Sequence, residues 1–186
     1  MEWNANYEME RIQEIENDSR LTISQKIVNP GPLVIEAKSG LSKHHEHSKW
    51  LLKNEGVVSK TGSLLIRVAP SNVDRALCLF DAIIKLFCSR GHRFEGLSVN
   101  VYGQNYEIFI RDKLKKLDDF SKESTNILCL KVCVGFPRFE IYDSKNVRIE
   151  DRISRAMVKV ELEVENLKRI WADNTRREEK RKKKKE

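Results

Sequence analysis

At 186 residues the chain has the length of one domain with loosely attached ends. It is 40% hydrophobic and 34% charged, lower in apolar content than a compact enzyme of this size. It has no stretch long enough for a membrane-spanning helix and no basic-then-apolar amino terminus of the signal-peptide kind, so the default reading is a cytoplasmic protein with no membrane partner. The net charge of +7 permits a polyanionic partner, and much of the excess lies at the carboxyl end.

In chain order, residues 1–28 mix acids and amides with scattered apolar residues. Tyr7, Ile12 and Ile15 mark at most a short helical face, and Asn29-Pro30-Gly31-Pro32 is a breaker. Residues 1–32 therefore read as an amino-terminal arm or linker. Residues 33–50 look helical in parts, with Val34, Ala37 and Leu41 suitably spaced, although Ser39-Gly40 interrupts the pattern. His44, His45, Glu46 and His47 invite a metal reading, but a helix would place only His44 and His47 on one face. No further ligands are identifiable, so the tract reads as an exposed polar stretch. Residues 51–63 form a connection with breaks at Gly56 and Gly62.

Residues 64–110 carry the clearest folding signal. Leu64, Leu65, Ile66 and Val68 form a buried strand ended by Pro70. Ser71 and Asp74 make a capping-box-like helix start. Ala76, Phe80, Ile83 and Phe87 then recur at helical spacing, with Leu77 and Ile84 beside them, until Gly91 supplies a left-handed stop. Leu97, Val99 and Val101 alternate with polar residues, Tyr102-Gly103-Gln104-Asn105 is a turn, and Tyr106, Ile108 and Ile110 resume the alternation. The order is strand, helix, strand, strand.

The charged residues 111–120 extend that last strand before the chain turns away, and residues 121–126 are a polar loop. Residues 127–134 (ILCLKVCV) are another strand, with Phe139 and Ile141 alternating in a final one beside it. Asp143 or Ser144 caps a long amphipathic helix whose stripe is Ile149, Ile153, Ala156, Val160, Val164, Leu167 and Trp171. Its first half belongs to the core, and its second half can project or meet a second chain. The end of the chain is a charged run in which Arg176, Arg177, Lys180, Arg181, Lys182, Lys183, Lys184 and Lys185 are candidate phosphate contacts. No stacking or base-reading residues accompany them, because the aromatic residues sit mostly at core-like positions.

Cys78, Cys88, Cys129 and Cys133 lack zinc-type spacing and read as buried structural thiols. No phosphate loop, dinucleotide fingerprint, zinc-protease motif or nucleophile elbow is present. Asp118 and Asp119 are adjacent in a charged loop, Asp74 and Asp81 flank an apolar helix face, and His92 follows a helix stop, so no convergent acid–base pair emerges. The expectation is a protein with no catalytic residues, no cofactor and no metal.

The pattern Arg75-Ala76-Leu77, Asp81-Ala82, Ile84-Lys85 and Arg90-Gly91, preceded by an apolar strand and Pro70, resembles a family of uncharacterised bacterial proteins. The linker Asn29-Pro30-Gly31-Pro32-Leu33-Val34, the second hairpin arm over residues 105–116 and the charged carboxyl-terminal helix are also similar to that family, over roughly residues 15–180. In many of its members a helix-turn-helix-like segment precedes the linker, which implies a DNA-binding or regulatory setting. No such segment stands before Asn29, so the resemblance implies a truncated member, a carboxyl-terminal region, or a variant that works without the module.

The expected fold is α+β: a four- or five-stranded, antiparallel-leaning sheet, with the central helix and the long carboxyl-terminal helix packed on one face. Residues 33–172 form the domain, between the arm and a basic tail at 173–186. The expected function is a non-catalytic regulatory or nucleic-acid-associated module whose tail contacts phosphates. The alternative is a module that binds a protein partner or a second copy through the carboxyl-terminal helix.

Overall fold

A computed structural model describes residues 5–17, 23, 26–47, 50–59, 63–95 and 98–183. In chain order the elements are α1 (Ala5–Glu16), α2 (Pro32–Ser39), β1 (Ser42–His47), β2 (Trp50–Val58), β3 (Leu65–Val68), α3 (Val73–Ser89), β4 (Arg93–Glu95), β5 (Ser98–Val101), β6 (Gln104–Lys116), β7 (Ser121–Val134), β8 (Phe136–Tyr142) and α4 (Ile153–Lys183). Among the described residues no helix is long and apolar enough to cross a membrane.

The fold is α+β, but the sheet is mixed and larger than expected: among the described residues eight strands join it. Strands β5 to β8 form an antiparallel meander. Strand β3 runs parallel to β6, pairing Leu65 with Phe109 and Arg67 with Arg111, because α3 carries the chain back across the sheet between them. Strand β2 is antiparallel to β3 and parallel to β7, so the pairings β6–β3–β2–β7–β6 close a ring.

Two of the additional strands come from segments read as helix and connection. The 33–50 helix stops at Ser39, and Ser42–His47 and Trp50–Val58 pair as the antiparallel strands β1 and β2. His44 and His47 thus lie on a strand rather than on a helix. The polar loop at 121–126 is instead the first part of β7, opposite the charged half of β6, with Lys115 facing Glu123 and Leu114 facing Ser124. A half-buried strand of this kind needs no apolar alternation, because its ladder is made by the backbone.

One face of the sheet carries the core. Ile108 and Ile110 on β6 stand opposite Val132 and Leu130 on β7, and all four are buried. Leu77, Phe80, Ile83 and Phe87 of α3 and Met157, Val160 and Val164 of α4 belong to the same cluster. The α4 stripe enters that core as far as Val164 and then runs into solvent. Tyr7, Ile12 and Ile15 fall on α1, whose two isoleucines are part of the core. Of the four cysteines, Cys78, Cys129 and Cys133 are buried, whereas Cys88 is exposed on α3.

Both expected helix caps take another form. Ser71 sits in a 3-10 turn, Pro70–Asn72, and no side chain caps α3. The reason is Asp112, which is buried at the β6 bulge and accepts from the Ala69 N–H at 2.7 Å and from Asn72 Nδ2 at 2.8 Å, so the capping residue is drawn toward the sheet. At α4, Asp143 does not cap the helix directly. A 3-10 turn, Glu150–Arg152, comes first, and the Asp143 carboxylate accepts from the Ile149 N–H at 3.0 Å and from both terminal nitrogens of Arg75. Burial alone would raise the Asp143 carboxyl; the Arg75 guanidinium and backbone N–H groups outweigh it and hold it below its ordinary value.

Tyr106 is fully buried on β6, and its hydroxyl is the buried side-chain polar atom left without a hydrogen-bond partner among the described residues. Burial pushes this phenol up to about 12. Tyr106→Phe removes only that oxygen, so urea unfolding is expected to show unchanged or increased stability. A loss of more than about 1 kcal/mol would mean that the hydroxyl has a partner.

Candidate functional site

Three elements converge on one carboxylate. Glu161 lies on α4 between Val160 and Leu162 and has 0% exposure. Its position follows from the helix itself: it is four residues beyond Met157 and three before Val164, both core residues, so it points where the stripe points.

The partners of Glu161 are delivered by backbone geometry. Helix α3 ends in a Schellman arrangement, in which the Gly91 N–H donates to Cys88 O and the His92 N–H to Phe87 O, each at 3.0 Å. Gly91 holds φ +83, the left-handed conformation predicted from the sequence. This reversal brings the residues on either side of Gly91 onto the same acid. Arg90 donates to both Glu161 oxygens, at 2.7 and 2.8 Å, and His92 Nε2 lies 2.7 Å from Oε1. The third partner is Arg11 of α1, which pairs with Glu161 Oε2 and donates to Glu165 Oε1 at 2.6 Å.

Burial alone would raise the Glu161 carboxyl. Hydrogen bonds from Arg90 and His92 and the charges of Arg90 and Arg11 reverse that and hold it at about 2. The cluster contains two carboxylates, two guanidiniums and an imidazole, and it fastens α4 to α1 and to the end of α3. Its five side chains are paired with one another, and its chemistry is that of an anchor.

Beyond the anchor, α4 leaves the body. Every residue from 168 to 182 is exposed, a rod of about 22 Å at 1.5 Å per residue. The sequence-predicted phosphate contacts lie here. Arg176, Arg177, Lys180, Arg181 and Lys182 are exposed on the helix and form no ion pair among the described residues. Lys183 is the last residue of α4, while Lys184 and Lys185 lie outside the described residues. Cations at a helix carboxyl terminus also complement its dipole, which favours helical structure through this end.

The root of this arm holds two exposed aromatic residues, Tyr102 of the expected turn and Trp171 of the α4 stripe. Tyr102 is 43% exposed and Trp171 is 61% exposed. Tyr102 occupies the first position of a two-residue hairpin turn with Gly103, at φ +51 and +92. Its ring stands nearly perpendicular to that of His92, with centroids 4.9 Å apart, and carries Lys168 Nζ at 5.1 Å from its centroid. Contacts therefore run from Glu161 through His92 and Tyr102 to the first exposed turn of the arm.

Arg11, Arg90 and Glu161 do not stand out as a group in the sequence, where His92 reads as an ordinary loop residue. The available signal was an acid inside an apolar helical stripe, a pattern that demands buried cations. Among the described residues no group of three or more His, Cys, Asp or Glu side chains could hold a metal ion. No protein family, curated protein or solved structure matches the chain.

Glu161→Gln leaves Arg11 and Arg90 facing a neutral group in a dry site, and denaturant unfolding is expected to show a loss of about 3–5 kcal/mol. A loss below about 1 kcal/mol would contradict the anchor. The pH dependence has a definite sign. Because the folded carboxyl is depressed from its ordinary 4.5, its stabilisation is fully present above that value and is lost as pH falls through about 2. Unfolding measured between those two values should therefore show a fall in stability that the Glu161→Gln chain lacks.

Proposed function

We propose that this chain is a non-catalytic, nucleic-acid-associated module that contacts phosphates through the exposed basic end of α4. One observation carries the reading: a helix held rigidly at its root presents Arg176, Arg177, Lys180, Arg181 and Lys182 to solvent, with no acid partner for any of them among the described residues. A cationic rod of this kind releases counterions from a polyanion when it docks, and this drives binding without reading sequence. Residues 176–186 hold eight basic and three acidic side chains, so the field along the end of the arm is positive. The regulatory setting implied by the family resemblance, and a cytoplasmic location, fit this reading.

A second reading has its own support. Ile170 is 44% exposed and Trp171 61% exposed, and they continue the apolar side of α4 beyond the part covered by the body. Such a face suits a protein partner or a second copy of the chain. Sedimentation that moves from monomer to dimer with concentration, and is abolished by Trp171→Ala, would favour it.

The phosphate reading is tested by fluorescence anisotropy with a generic duplex across a salt series, using the full chain and a chain ending at Thr175. The full chain is expected to lose about a thousandfold or more in affinity between about 50 and about 200 mM salt, and the shortened chain to lose most of its binding at the lower salt. Equal affinity and equal salt dependence in the two chains would overturn the assignment to the arm.

A further inference from the structure

We infer that Tyr102 and Trp171 form a base-stacking platform at the root of the basic arm, so that the preferred ligand is single-stranded nucleic acid; this rests on the phosphate reading of α4. Lys168 lies over the Tyr102 ring, which places that face of α4 against the β5–β6 turn. Trp171 is three residues further along, and side chains at that spacing are neighbours on a helix. Two exposed aromatic residues with a lysine between them therefore stand where the arm leaves the body.

Tyr102 is the more informative member. It adopts a left-handed backbone conformation, φ +51, at a turn position that Asn, Asp or Gly occupies at lower cost. A large aromatic residue held against its backbone preference is a strained position of the kind that accompanies function. Its ring is also oriented in advance: His92 meets it nearly perpendicularly, at 86° between planes, and His92 is itself fixed by Glu161. Ring orientation is thus settled before any ligand arrives, so little side-chain freedom is lost on stacking.

The chemistry of the surroundings selects the ligand. An unpaired base offers a flat face to an aromatic ring, whereas bases within a duplex are already stacked on one another. Lys168 supplies a cation beside the Tyr102 ring, and the arm continues with Arg176 and Arg177. A backbone of phosphates can follow the arm while its bases rest on Tyr102 and Trp171. A protein partner would use the same rings but would not require the cations.

The test uses the full chain and a fluorescein-labelled oligothymidylate of about a dozen nucleotides, compared with a duplex of the same length. The wild type should bind the single strand more tightly. Trp171→Ala and Tyr102→Asn should each weaken single-strand binding about 5- to 100-fold while changing duplex affinity little. Tyr102→Asn also relieves the turn, so its melting temperature should be unchanged or higher, an outcome that a merely structural tyrosine would not give. The inference is overturned if both variants bind the single strand as the wild type does, if duplex binding falls equally, or if Tyr102→Asn lowers the melting temperature along with the affinity. The two readings fail separately. A chain ending at Thr175 keeps both rings, so loss of duplex binding on truncation with no effect of the ring substitutions would retain the arm and remove the platform.

Discussion

A carboxylate with no access to water constrains this molecule more than any other single group. Removing an ion from water costs several kcal/mol, so a buried Glu161 requires partners on every side. Arg90 and His92 come from the stop of α3, and Arg11 comes from the amino-terminal helix. Apolar contact is tolerant of small sliding between helices; paired hydrogen bonds to one carboxylate are not. Ile12 and Ile15 favour burial of α1, while Arg11 fixes its position along α4. Replacing the whole cluster by apolar residues of similar volume need not destabilise the fold, and what the ions contribute is one arrangement of three helices.

That arrangement sets what leaves the body. Helix α4 is gripped at Glu161 and Glu165, and three residues later it is exposed on all sides. The same cluster orients His92, and His92 orients Tyr102. The direction of the arm and the attitude of the ring at its root thus share one cause. A frayed tail would present its cations at random, whereas a helix continuous with the core presents them along a line at known spacing.

The sequence was most readable where structure is local. Strand β3, helix α3, the Gly91 stop and strands β5 and β6 lie close to their expected places, since caps, stops and alternation act over a few residues. The stripe of α4 was equally legible. What escaped were polar strands and distant pairs. Strand β1 and the first half of β7 carry almost no apolar alternation, and β2 finds two of its neighbours, β3 and β7, elsewhere in the chain. Ser71 has the spacing of a capping box, yet Asp112, forty-odd residues away, draws the preceding turn toward the sheet. The anchor was hidden for the same reason: Arg11 and Arg90 stand 150 and 71 residues from Glu161, and no periodicity links them. The basic residues of the arm were visible as composition, while the exposed rings at its root needed the fold to bring a turn and a helix together.

The hold of the anchor on α1 rests on Arg11, the part of it that belongs to that helix. Native-state hydrogen exchange on the full chain, comparing the wild type with Arg11→Met, isolates it, because Glu161 keeps Arg90 and His92 and the sheet is untouched. The prediction is a selective loss of protection in α1 and in α4 around Glu161, with the amides of β6 and β7 unchanged. Equal protection in α1 of both chains would contradict it, and would mean that Ile12 and Ile15 hold that helix without the buried ions.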